Sequence, residues 1–263
     1  MSRKALFFDV DGTLLSEITR TVPESAVRAL SETRKKGNLV FINSGRVWCH
    51  LGEIKHLVEA DGYLCGCGTN ILAEGKEIYH HVIPHERGLE IKKAMYQYGV
   101  EGFLESKEGI VIHEGEFRIR AAKGLRAVLT NAGVVMPYGW NDDSYDFDKF
   151  CMYADENSDR EGFFQFLKPD MDVIDRGGDF YECVPAGHSK ATAIEMVLKA
   201  YGLEKKDAYV FGDSSNDLAM FEYADNAVLM GHHDAVLEPY ASFVTRTVEE
   251  DGVEYAMRAL ELL

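Results

Sequence analysis

Nowhere does the chain carry an apolar run long enough to cross a bilayer, so no membrane-spanning helix and no membrane partner is expected. Low-complexity segments and internal repeats are missing too. Positive charge is scarce: 28 Lys and Arg against 44 Asp and Glu leave a formal charge of −16. That balance argues against a nucleic-acid partner, because phosphate backbones are bound through clustered cations. Small anionic substrates stay open, since a metal and a few local cations reverse the potential within one cleft. Cysteines are few, odd in number and scattered (Cys49, Cys65, Cys67, Cys151, Cys183), which suggests free thiols in a reducing compartment. Cys65-x-Cys67 stands alone and reads as buried structural thiols rather than a zinc site. After Arg3 and Lys4 the apolar run meets Asp9 within a few residues, too soon for a signal-peptide core. A cytoplasmic location is the expectation.

What is present is an ordinary globular composition, 46 % hydrophobic over 263 residues, enough for one large domain or two with separate cores. The run Leu6-Phe7-Phe8 has the look of a strand buried on both faces of a parallel sheet, and it breaks into Asp9-Val10-Asp11-Gly12-Thr13. Pro23-Glu24 opens a helix that Gly37 closes, and Leu39 to Ile42 form a second buried strand ending at Asn43-Ser44-Gly45-Arg46. A helix with Leu51, Ile54, Leu57 and Val58, a strand at Tyr63 to Cys65 and a hairpin around Glu74-Gly75 follow. Alternating strands and helices predict an α/β class with a doubly wound, mostly parallel sheet.

Near Pro84 the pattern changes to paired strands with helices between them, including strands at 102–105, 110–113 and 150–153 and two flanking Gly177-Gly178. This predicts an α+β module over 83–185, inserted into a sheet domain made of 1–82 and 186–263. From His188 the α/β rhythm returns: a helix from Ser189 to Tyr201, a strand at 208–211, Gly212-Asp213-Ser214-Ser215-Asn216-Asp217, a strand at 227–230 and a last helix.

Three strand ends thus present polar residues at one sheet edge, where open parallel sheets bind ligands: Asp9 with Asp11, Ser44-Gly45, and Asp213 with Asn216 and Asp217. Asp9 and Asp11 are two apart on an extended chain and point the same way, and a cation offsets their repulsion. Asp213 and Asp217 beside a Gly turn are hard oxygen donors suited to Mg²⁺. Each end has a plainer account as well. Asp-Gly marks solvated turns, and Asp213 can cap the helix near Ser215 with Asn216 and Asp217 as first-turn residues. Three such ends in one chain are harder to explain that way than any one alone. Lys190 opens its helix, where the dipole disfavours a cation unless an anion compensates. Arg46 reads equally as a contact for an anionic substrate or as a solvated arginine at a helix start.

Asp9-Val10-Asp11-Gly12-Thr13-Leu14-Leu15 resembles the first motif of the haloacid dehalogenase superfamily, and Gly212-Asp213-Ser214-Ser215-Asn216-Asp217 resembles its last. The resemblance implies a Rossmann-like sheet core and an Mg²⁺-dependent phosphatase acting on a small phosphorylated metabolite, a sugar phosphate being the expected class. It implies Asp9 as nucleophile, giving an aspartyl-phosphate, and Asp11 as general acid/base. Asp9, the backbone of Asp11 and Asp213 are implied as metal ligands, with Asp217 in or just behind that set. Ser44, Lys190 and Asn216 are implied as partners of the phosphoryl group, beside Gly45 and Arg46. The long insertion before Lys190, with Met230-Gly231, Val244-Thr245 and Asp251-Gly252-Val253, is similar to the Cof-type (IIB, C2-capped) branch. Ala191 stands where many relatives carry glycine. Asp179, Tyr181 and Glu182 are cap candidates for the leaving group, or else belong to an alternating strand. His80-His81 and His232-His233 are not natural chelates, because neighbouring residues face apart. A phosphomutase and a non-catalytic metabolite-binding protein on the same scaffold are the competing readings, and the presence of both Asp9 and Asp11 argues against the latter. A monomer or small homo-oligomer is expected.

Overall fold

The computed structural model describes residues 3–113 and 115–263. The chain divides into two compact units: residues up to Gly45, Glu53–Tyr79 and Ser189–Leu263 form the first, and Arg46–Gly52 with His80–His188 the second. The expected α/β class is what the chain adopts.

The first unit begins with β1 (Ala5–Phe8), α1 (Glu24–Lys35), β2 (Leu39–Asn43), α2 (Ile54–Leu57), β3 (Gly62–Cys65), β4 (Asn70–Ala73) and β5 (Lys76–His80). The helix expected across 51–58 is interrupted. Gly52, at φ +53°, separates a 3-10 turn at Trp48–Leu51 from the single turn of α2. Between β4 and β5 both turn residues, Glu74 and Gly75, have positive φ (50° and 73°), the geometry a two-residue hairpin requires.

In the second unit lie α3 (His85–Tyr98), β6 (Glu101–Glu105), β7 (Ile110–Ile112), α4 (Arg120–Asn131), β8 (Lys149–Tyr153), α5 (Arg160–Leu167), β9 (Met171–Asp175) and β10 (Phe180–Pro185). Its sheet runs β7-β6-β8-β10-β9, with each neighbouring pair antiparallel. Alternation puts Leu104, Phe150, Met152, Tyr181 and Cys183 in one apolar layer with Ile91 and Met95 of α3 and Phe163 of α5. The opposite face packs Phe103, Ile110 and Cys151 against Ala122 and Leu129 of α4 and against Val47, which is why residues 46–52 group with this unit. That face also carries a buried ion network. Lys149 Nζ lies 2.5 Å from Glu105 Oε2 and 2.6 Å from Glu182 Oε1, and Arg176 Nη1 lies 3.3 Å from Glu182 Oε2.

The first unit resumes with α6 (Lys190–Tyr201), β11 (Ala208–Gly212), α7 (Leu218–Tyr223), β12 (Asn226–Leu229), β13 (Phe243–Val244) and α8 (Gly252–Ala259). Its sheet runs β13-β12-β11-β1-β2-β3-β4-β5; β13 through β3 pair in parallel, and β4 lies antiparallel to β3. Phe7 and Phe41 face Ala193, Ile194 and Val197 of α6 and Met220 of α7. Phe8 points to the opposite side, stacked on Phe211 at 4.4 Å. Helices on both faces explain why the central strands read as continuous apolar runs. All cysteines are free, and among the described residues no helix is long and apolar enough to cross a membrane.

Candidate active site

β1 and β11 are neighbours, so their carboxyl ends bring Asp9 and Asp213 together although 204 positions separate them. Asp9 keeps strand register, its N–H donating to Phe211 O at 3.0 Å. The chain then folds back on itself, with Leu14 N and Leu15 N donating to Val10 O at 3.0 and 2.7 Å. Gly12 sits at φ +79°, and a Cβ there would lie 2.3 Å from Asp213 Oδ2. Gly212 serves the other turn in the same way: a Cβ would meet Asp217 Oδ2 at 2.6 Å. Glycine at both places is what lets the acids approach.

Lys190 completes the cluster. Ser189 caps α6, its Oγ accepting from Thr192 N, and this sets Lys190 at the first helical position. Lys190 is 1 % exposed, and its ammonium donates to Asp9 Oδ1 at 2.5 Å, Asp217 Oδ1 at 2.6 Å and Asn216 Oδ1 at 3.4 Å. The other Asp217 oxygen accepts from Asp213 N at 2.9 Å and Ser214 N at 3.1 Å. Thr13 Oγ1 donates to Asp213 Oδ1 at 3.0 Å. Carboxylate oxygens of Asp9, Asp213 and Asp217 lie within 4.8 Å of one another.

Three buried carboxylates against one ammonium leave an excess of negative charge. Burial raises Asp9 to about 7; Lys190 opposes the rise, and Asp217 and Asp11 add to it. Burial likewise raises Asp213 to about 9, helped by repulsion from Asp9 and Asp217. For Lys190, burial disfavours the charge, but Asp217 and Asp9 overcome it and hold the group above its ordinary value. A site strained in this sense favours a cation, and an all-oxygen donor set fits Mg²⁺.

Of the residues expected from sequence, Asp9, Lys190, Asp213, Asn216 and Asp217 meet here. Asp11 is half-buried and close enough to act on the charge of Asp9. Ser44 is buried just past the end of β2; its N–H donates to Leu64 O at 2.8 Å and its carbonyl accepts from Cys67 N at 3.1 Å. Gly45 closes the first stretch of the first unit, whereas Arg46 belongs to the second unit and donates to His50 O at 3.2 Å. Tyr181 is a core residue of the second unit, 2.9 Å from Arg160 Nη1, and Glu182 is taken up in the Lys149 network. Asp179 occupies a turn at φ +59°. Among the described residues, neither histidine doublet joins a cluster of three or more possible metal ligands. His80 pairs with Asp148 at 2.9 Å, His81 lies against His188, and His233 Nδ1 donates to Met230 O at 2.6 Å.

Sequence reasoning gave no role to Thr13, Asn43 or Asp234. Asp234 braces the Asp213 turn: its N–H donates to Asp213 O at 2.7 Å and its Oδ2 accepts from Ser215 N at 2.8 Å. Thr13 stands inside the first motif and was open to discovery there. Nothing local marks Asp234.

The family model described as haloacid dehalogenase-like hydrolase matches residues 6–257. A putative phosphatase of Bacillus subtilis (strain 168), YkrA, is 28 % identical over 271 residues, covering 100 % of both chains. Among solved structures, the subclass IIB sugar phosphatase BT4131 superposes with a TM-score of 0.85 at 24 % identity, covering 99 % of this chain and 100 % of that one. BT1666 from Bacteroides thetaiotaomicron, described among the phosphatases of this superfamily, gives 0.85 at 25 % identity, covering 99 % and 96 %. With the acid cluster at the sheet's carboxyl edge, these matches establish that the chain belongs to the haloacid dehalogenase-like hydrolases, as a Cof-type phosphatase.

Proposed function

We propose that the protein hydrolyses the monoester of a small phosphorylated metabolite, with sugar phosphates as the substrate class, through an aspartyl-phosphate on Asp9 and with Mg²⁺ as cofactor. The observation that carries this reading is the buried cluster of Asp9, Asp213, Asp217 and Lys190. Asp9 offers one oxygen to Lys190, leaving the other for phosphorus. Asp9 and Asp213, with the backbone of Asp11, would hold the metal. Both oxygens of Asp217 are engaged, by Lys190 and by backbone N–H groups, which suits it to fixing these from behind. When bound, a divalent cation offsets the repulsion between carboxylate and phosphate.

The Asp9 oxygen forms a bond to phosphorus as the ester oxygen leaves, taking its proton from Asp11. In the second half Asp11 accepts a proton from water, whose oxygen bonds to phosphorus and releases Asp9. Lys190, the Ser44 hydroxyl, the Gly45 backbone and Asn216 supply donors to the non-bridging oxygens, where charge stabilisation is most useful. Arg46 is assigned to the anionic substrate. Residues 83–185 are assigned the role of cap, selecting the leaving group. The sugar-phosphate class is supported by the sugar phosphatase among the structural neighbours.

The test is phosphate release over a panel of sugar phosphates, nucleotides and phosphorylated cofactors, with and without Mg²⁺. Asp9→Asn is expected to lower kcat on the order of a thousandfold or more. An Asp9→Asn enzyme with undiminished turnover would remove the nucleophile from this scheme.

A further inference from the structure

We infer that Asn43 is a positioning residue for Lys190; this deepens the proposed function and rests on the role it gives Lys190. Asn43 ends β2, on the same strand face as Leu39 and Phe41, which pack in the apolar layer under α6 and α7. A hydrophobic side chain is what that place calls for. Instead an amide is fully buried there. Its Nδ2 donates to Lys190 O at 3.2 Å and lies 3.6 Å from Met220 Sδ, and its Oδ1 has no hydrogen-bond partner among the described residues. Turning the amide over would set oxygen against the Lys190 carbonyl, so the donor must face α6.

Burying an amide with one end unsatisfied is unfavourable, and a leucine-sized apolar group would avoid the penalty. Lys190 does not need the bond either, since a carbonyl inside a helix already accepts from the amide four residues on. What the contact supplies is a tie between the end of β2 and the first turn of α6. The same turn is closely packed on another side: a Cβ on Gly68 would lie 2.5 Å from Ser189 O. Lys190 must reach Asp9 and Asp217 at once, at 2.5 and 2.6 Å, from a side chain with four rotatable bonds. A slip of its backbone is transmitted directly to that ammonium.

Asn43→Leu is expected to keep or raise the thermal midpoint while lowering kcat roughly ten- to a hundredfold, because ångström misplacements have effects of that order. KM for p-nitrophenyl phosphate should change little. Asn43→Asp should show a similar deficit that narrows as pH falls, since a protonated carboxyl regains the donor. Wild-type kcat in Asn43→Leu overturns the inference, as does loss of cooperative unfolding in both variants, which would make the residue merely structural. Lys190→Ala is measured alongside. If it is inactive while Asn43→Leu turns over normally, this inference alone falls. If it turns over normally, the role proposed for Lys190 falls and takes this one with it.

Discussion

Metal-free protein should lose stability as pH rises through neutrality, and Mg²⁺ should restore it. In the folded chain Asp9 is raised from 3.8 to about 7, and Asp213 from 3.8 to about 9, in both cases chiefly by burial. The unfolded chain releases these protons near pH 4, whereas the folded chain keeps them longer. Above pH 4 the folded state therefore binds more protons, and its stability falls with rising pH. At about 1.4 kcal/mol per pH unit, Asp9 alone accounts for about 4 kcal/mol, lost between roughly pH 4 and 7. Asp213 continues the fall toward pH 9. Urea midpoints in the presence of EDTA, taken from pH 5 to 8.5, measure this. Asp213→Asn cannot ionise, so the part of the fall that Asp213 contributes above pH 7 should vanish and its curve should be flatter there. The general repulsion from a formal charge of −16 is nearly the same in both proteins and cancels in the comparison. If the proposed Mg²⁺ site is correct, a cation would bind the ionised pair, and the stabilisation by saturating Mg²⁺ should grow with pH. Parallel curves for the wild type and Asp213→Asn would refute the claim that burial strains these carboxylates.

Two further substitutions probe the scaffold. Gly12→Ala puts a methyl 2.3 Å from Asp213 Oδ2 at a φ of +79°, and should weaken Mg²⁺ binding by titration calorimetry on the order of 10- to 100-fold. Lys149→Met leaves Glu105 and Glu182 buried without their shared ammonium, and should lower stability by about 3–5 kcal/mol in urea unfolding.

Several elements were legible because they are local. Apolar runs marked β1, β2 and β11, and the return of the α/β rhythm after His188 marked α6. The break at Gly52 was less so, since Leu51, Ile54, Leu57 and Val58 keep helical spacing across it. Lys149 and Glu105 lie 44 positions apart, and each reads as an ordinary surface charge until β6 and β8 pair.

The sequence by itself determined which side chains are available for chemistry and at which strand ends they stand, because those facts depend on neighbours within a turn or two. Only the tertiary structure decided which of them share one charge. Lys190 serves Asp9 from 181 positions away and Asp217 from 27, and Asn43 reaches the carbonyl of Lys190 across 147. Such pairings arise when parallel strands are laid side by side and a helix is packed over them, and nothing in the local pattern encodes the distance at which two ends meet.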